Sequence, residues 1–303
     1  MTNTEFIKAY FEGRRTGRAG FGRYYCNLQM DKRSLFSFGR HFPLVTETEN
    51  GEYVLNGDVY SPTTSSHQSE VRYLAKHKFH VRFVEIPYRV LATAEIPVRE
   101  LKIVSSQEAK IRMRDVKDPV TGEIKVVEEH LLGASLVRFL KRFYLSSTDK
   151  GAHWGFGYFL TELPKEVKNV VQAFNILKPE FVKRAEKCKK DVKRQGEWFF
   201  VPFGNTRKLK KLFKKKALGM YGKEVLLSTM LEKGKLLPVV SQNGNNPHHQ
   251  VRDCVQGYYG EQYVRGTVRH TQNEHRMINL GELWHFAVPN KQVRSWSGQG
   301  RVD

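Results

Sequence analysis

Five histidines, His248, His249, His270, His275 and His285, fall within 38 residues, with Asp253, Cys254, Glu274 and Glu282 among them. Imidazole and carboxylate together form the donor set of zinc sites and metal-dependent nucleases, in which the ion activates water and neutralises developing charge. On residue type, the candidate catalytic residues are His249, Asp253, His270, His285 and Glu282. The candidate ligands of a divalent metal are His249, His270 and His275. No HExxH and no Cys-paired finger is present, so the alternative reading is of loop histidines that only hydrogen-bond. A second chemical feature is the hydroxyl-rich run Thr63-Thr64-Ser65-Ser66 before His67, which reads either as an ordinary helix cap or as a phosphate-holding helix start. There is no GxxxxGK[ST], no GxGxxG ahead of a helix and no GxSxG. That argues against a P-loop NTPase, a dinucleotide enzyme and an α/β-hydrolase.

Charge is the stronger signal. The chain carries 51 Lys and Arg against 31 Asp and Glu, a formal net charge of +20. The excess peaks at Arg207, Lys208, Lys210, Lys211, Lys214, Lys215 and Lys216, seven cations in ten residues with no acid between 205 and 217. Leu209, Leu212, Phe213 and Ala217 recur there at helical spacing, which predicts a helix anchored by one apolar stripe and presenting lysines elsewhere. A second basic stretch contains Lys189, Lys190, Lys193 and Arg194. A third, Gly13 to Tyr25, mixes glycines and aromatics with Arg14, Arg15, Arg18 and Arg23. Crowded like charges need counterions, and nucleic acid is the commonest cellular polyanion. The sequence therefore points to a nucleic-acid-binding protein with low base specificity, since lysine grips phosphate but reads bases poorly. The arginine-glycine-aromatic segment puts RNA slightly ahead of DNA. Two alternatives stand beside this reading: a metal-dependent nucleic-acid-processing enzyme using the histidine region, and an assembly protein docking an acidic partner.

The elements that must position these residues read as α+β, with mixed, largely antiparallel sheets and packed helices in two subdomains, 1–150 and 151–303. Phe6 to Glu12 predicts a short helix, and Ser34 to Phe38 alternates as a strand. Asn56-Gly57-Asp58 between Tyr53-Val54-Leu55 and Val59-Tyr60 predicts a hairpin. Ser65 with Gln68 predicts a capping box for a helix running to about His77, with Val71 and Leu74 inward. Val116 to Val127 predicts a hairpin about Asp118-Pro119 and Thr121-Gly122. The apolar spacing over Leu131 to Tyr144 predicts a helix. Pro164 and Pro179 each predict a helix start. Trp198-Phe199-Phe200, Gln262 to Arg269 and Met277 to Val288 read as strands.

Three cysteines without a CxxC pair fit a reducing, cytoplasmic setting. No stretch is long and apolar enough to span a membrane. Segments across the chain resemble a loose set of uncharacterised bacterial and bacteriophage proteins. They are His41-Phe42-Pro43-Leu44, Asn56 through Gln68, Tyr158 through Pro164, Arg194 through Pro202, Tyr263 through His270 and Leu280 through His285. The resemblance implies a phage or mobile-element setting, and brings with it no fold, reaction or site residue.

Overall fold

A computed structural model describes the chain except for residues 20–26, 119–120, 132, 149–157, 219–229, 238–247, 258–259, 272–275, 292–293, 298–299 and 303. The fold is α+β, as its sequence predicts. Helix α1 (Asn3–Phe11) starts at a capping box in which Thr2 and Glu5 satisfy each other's backbone N–H. Strands β1 (Thr16–Ala19), β2 (Leu28–Asp31), β3 (Ser34–Ser37), β4 (Phe42–Glu47), β5 (Tyr53–Asn56) and β6 (Phe83–Ile86) form the first sheet in chain order. Every pair is antiparallel except β5–β6, which is parallel and bridged by α2 (Pro62–Tyr73). Phe6, Ile7 and Tyr10 of α1 and Val71 and Leu74 after it pack on Leu28, Leu35 and Leu44 in one core.

The hairpin expected at Asn56-Gly57 does not form, because the Asn56 side chain is used otherwise. Its Oδ1 accepts from the backbone N–H of Asp58 and of Tyr88, and its Nδ2 donates to Pro43 O. The chain is thereby steered out of the sheet and into α2. That helix begins at Ser61, whose hydroxyl accepts from Thr64 N, with Pro62 in the first turn. The Ser65/Gln68 capping box is not used. Gln68 instead donates to Asn56 O and Asp58 O from inside the helix.

Next come α3 (Tyr88–Thr93), β7 (Lys102–Gln107), the ribbon of β8 (Lys110–Lys117) and β9 (Ile124–Leu131), then β10 (Ala134–Phe139), β11 (Arg142–Thr148) and β12 (Tyr158–Glu162). Helices α4 (Val170–Leu177) and α5 (Glu180–Lys187) precede β13 (Lys193–Gln195), β14 (Trp198–Gly204) and α6 (Thr206–Leu218). After β15 (Leu231–Lys233), β16 (Leu236–Leu237), β17 (His249–Gln256), β18 (Gln262–His270), β19 (Ile278–Asn279) and β20 (Trp284–Pro289), strands β21 (Arg294–Ser297) and β22 (Gly300–Val302) close the order. The helix expected from Pro164 begins only at Val170, where Asn169 supplies the cap that proline cannot.

Of residues 131–144, expected as a helix, Leu131 ends β9 and 134–144 fall in the β10–β11 hairpin, turning at Leu140 with a left-handed φ of 54°. The apolar spacing there has a different origin. Leu136 and Leu145 face a core with α4, while Val137 and Tyr144 face a core with Val54, Ile86, Leu160 and Trp296. A strand buried on both faces is apolar throughout and imitates helical periodicity. This middle sheet runs β22-β21-β12-β11-β10-β7. The border expected near residue 150 falls inside it, between the hydrogen-bonded strands β11 and β12.

The third sheet runs β13-β14-β20-β18-β17-β15, with β16 on β17 and β19 on β18. Its β13 edge reaches the β19 region: Lys193 Nζ donates to Asn279 O, and Gln195 Nε2 donates to Arg276 O, both at 2.7 Å. Trp198, Phe200, Val251, Cys254, Val264, Val268 and Leu280 form a buried cluster on one face of this sheet. Helices α5 and α6 cover its other face.

Candidate nucleic-acid interface

The basic run folds as the helix that its stripe predicts. Leu209 and Phe213 are buried against Val255, Tyr263 and Trp284, and Leu212 packs beside them. Asn205 caps the helix, its Oδ1 accepting from Lys208 N at 3.0 Å. Trp284 Nε1 donates to Thr206 Oγ1 at 3.2 Å, which pins the first turn to the sheet. Gly204, at φ 151°, makes room for the turn: a Cβ there would stand 2.7 Å from Lys208 Cδ. Lys208 lies with its ammonium 5.0 Å from the centroid of the Phe203 ring. Burying one stripe leaves Arg207, Lys208, Lys210 and Lys211 exposed. Among the described residues none of these four has a carboxylate within ion-pair distance. Lys214, Lys215 and Lys216 continue the same helix, with side chains outside the described residues.

Helix α5 lies on the same side of the sheet, Val182 and Ala185 packing on Phe199 and Val201. Phe286 joins the two helices, packing with the α6 cluster and meeting Phe181 edge-on at 5.1 Å. The second basic stretch follows α5. Arg194 stacks over Phe199 at 5.4 Å and so belongs to this side too, its Nε donating to Gly196 O. Lys190 is exposed. Lys189 is paired with Asp115 of the ribbon at 2.7 Å, and Lys193 turns away to Asn279. Sequence reasoning passed over Arg184 and Lys187, exposed cations of α5 on the same side. Their three-residue spacing opposite Val182 and Ala185 was the available signal.

In the Gly/Arg segment two arginines are engaged within the first sheet and α1. Arg14 donates to Thr16 O and lies over Phe6, while Arg15 pairs with Glu47 at 2.5 Å and lies over Tyr10. Arg18, exposed on β1, has no such partner among the described residues, and Arg23 lies outside them. Two of the four arginines expected to grip phosphate are thus engaged in holding the first sheet and α1 together.

The histidine region divides into three groups. His249 and His270 sit opposite each other on β17 and β18, both buried, with ring centroids 4.9 Å apart, and Glu197 Oε1 is 3.3 Å from His249 Nδ1. Asp253 is buried under two arginines, accepting from Arg265 Nε at 2.8 Å and from Arg252 Nε at 3.2 Å. Arg252 also donates to both carboxylate oxygens of Glu282, and Arg265 stacks on Trp284 at 4.7 Å. His285 is buried alone, its Nδ1 2.9 Å from Leu283 O; burial pushes its pKa down. Both acids proposed for catalysis are therefore neutralised by neighbouring guanidinium groups and separated from the histidines. Among the described residues no three His, Cys, Asp or Glu side chains are grouped to hold a metal ion, and His275 lies outside them. At the start of α2, Thr64 and His67 are buried in a hydrogen-bonded set, Ser37 Oγ lying 2.9 Å from His67 Nδ1 and Asn3 Nδ2 3.1 Å from its Nε2. Capping and packing account for these residues. No helix among the described residues is long and apolar enough to cross a membrane.

No protein-family model, curated protein or solved structure matches this chain.

Proposed function

We propose that the protein binds nucleic acid along the α5–α6 side of its third sheet, gripping phosphates without reading base sequence. One observation carries this reading. The four cations Arg207, Lys208, Lys210 and Lys211 are exposed on one anchored helix with no carboxylate beside them among the described residues, whereas Arg15 and Lys189 are internally paired. Exposed like charges on one helix face repel at i,i+3 and i,i+4, a cost that a phosphate chain removes. Arg184, Lys187, Lys190 and Arg194 extend the same side towards α5. Lysine-rich contacts fix a backbone and carry little base information.

The test is an anisotropy titration of the purified, nuclease-treated protein against single-stranded RNA, duplex DNA, heparin and an acidic protein over a range of salt. Binding to RNA or DNA with a steep linear dependence of log K on log salt supports the reading. Tighter binding to the acidic protein than to any nucleic acid would replace it with the docking alternative.

A further inference from the structure

The β8–β9 ribbon has two unlike faces. Paired residues share a face, and the register sets Met113 opposite Glu128, Asp115 opposite Val126 and Lys117 opposite Ile124. Ile111, Met113, Val126 and Ile124 consequently line one face, and they are 58%, 61%, 61% and 57% exposed. The opposite face turns to the body, where Val116 is buried and Arg114 reaches Asp191 at 3.5 Å. Lys117 N donates to Lys189 O, which ties the ribbon to the body by its backbone, and the Lys189 side chain reaches round to Asp115 at the edge of the apolar face. Four large aliphatic side chains in one exposed stripe are more than scattered surface apolarity, and such stripes mark contact surfaces. A two-stranded ribbon is also marginal in water without a covering layer.

Charge identifies what covers it. Residues 110–131 carry five cations and five carboxylates, a balanced segment in a chain of net charge +20. A polyanion gains nothing from a neutral ribbon. Two copies of the chain, by contrast, repel each other wherever their basic surfaces approach, and least where the surface is neutral. The stripe is flanked by both signs, Lys117 and Glu128, so it can face another copy of itself without burying one sign alone.

We propose that a second copy of this chain docks on the apolar face of the ribbon, giving a symmetric dimer through an isologous contact. The footprint, about 27 Å by about 10 Å, is below the size of stable specific interfaces and fits a weak, transient contact, so dissociation is expected in the tens of micromolar. The inference is independent of the nucleic-acid reading. Sedimentation velocity on nuclease-treated protein in about 0.5 M salt, where surface charge is largely screened, tests it. The intact chain should sediment as a concentration-dependent dimer. Met113→Glu with Val126→Glu should weaken dimerisation at least 100-fold. Met113→Thr with Val126→Thr, which keeps strand propensity at Val126, should weaken it by a smaller factor with unchanged circular dichroism. A variant with Arg207, Lys208, Lys210 and Lys211 all replaced by Gln should dimerise as the unmodified chain does. An unmodified chain that stays monomeric at about 100 µM overturns the proposal, as does a Glu variant that is folded and still dimeric. Stoichiometric capture of a different protein on a monomeric chain would assign the ribbon to that partner instead.

Discussion

Replacing Arg207, Lys208, Lys210 and Lys211 together with Gln separates binding from folding. If all four contact phosphate, the slope of log K against log salt should lose about 3.6 for duplex DNA and about 2.8 for a single strand, from 0.9 and 0.7 per contact. At 0.1 M salt that corresponds to a loss of affinity of roughly three to four decades for duplex and close to three for a single strand, as ceilings. Stability should move by no more than about 1 kcal/mol. The substitutions remove like-charge pairs at 207/210, 208/211 and 207/211, each worth about 0.2–0.5 kcal/mol, against the loss of the Lys208–Phe203 contact, worth about 0.5–1 kcal/mol. Anisotropy titrations at four salt concentrations, paired with thermal melts, read both quantities. Unchanged affinity and slope in a variant that melts normally would refute the assignment of this face. A variant that loses affinity only because its melting point collapses would show that these lysines hold the fold instead.

Further outcomes follow from the surrounding packing. Leu209→Ala should cost about 2–5 kcal/mol in a denaturant titration, because it opens a cavity under α6, and should weaken binding by loosening the helix that carries the cations. Asp253→Asn should destabilise by about 1–3 kcal/mol, since it removes the charged acceptor shared by Arg252 and Arg265; a stable variant that lost a nucleolytic activity would instead revive the catalytic reading. Burial pushes the imidazoles of His67 and His285 below the usual 6.5, so the unfolded chain takes up protons first. Their contribution is full above that value and falls as the pH drops through it, so urea melts at pH 7.5 and 5.5 should show lower stability at 5.5. A His67→Asn, His285→Asn double variant should show a shallower change; an identical one would remove these residues from the account. Burial raises the Cys254 thiol to about 12, whereas Cys188 is exposed. Brief alkylation of native protein should therefore label Cys188 and spare Cys254, as peptide mass spectrometry will report.

Local signals were legible where a single rule governed the segment. The stripe at Leu209, Leu212 and Phe213 gave α6 and its buried face, and Asp118 with Gly122 gave the turn of the ribbon. Two competing effects hid other segments. Residues 131–144 satisfy helical spacing only because β10 and β11 are buried on both faces, a fact set by α3 and α4 far along the chain. Asn56-Gly57 carries a hairpin signal, yet Asn56 is held by Pro43 and Tyr88, which no local window contains. The cations were visible as a composition, but the carboxylates that neutralise Arg15 and Lys189 come from 32 and 74 residues away. Histidine count likewise announced a cluster that the strands distribute among separate packing roles.

The pairing of β12 with β21 has a consequence in time. Thr161 meets Ser295 across 134 residues, and Trp296 completes a core that Val54 and Val137 begin. On the ribosome, the edge of β12 therefore stands open until Arg294–Ser297 have been translated. Such distant closures fold slowly and leave an unpaired edge available to neighbouring nascent chains. Arresting synthesis before residue 294 should yield a species that aggregates, while extension through β22 should rescue it, which makes Trp296 fluorescence a natural clock for the closure of this sheet.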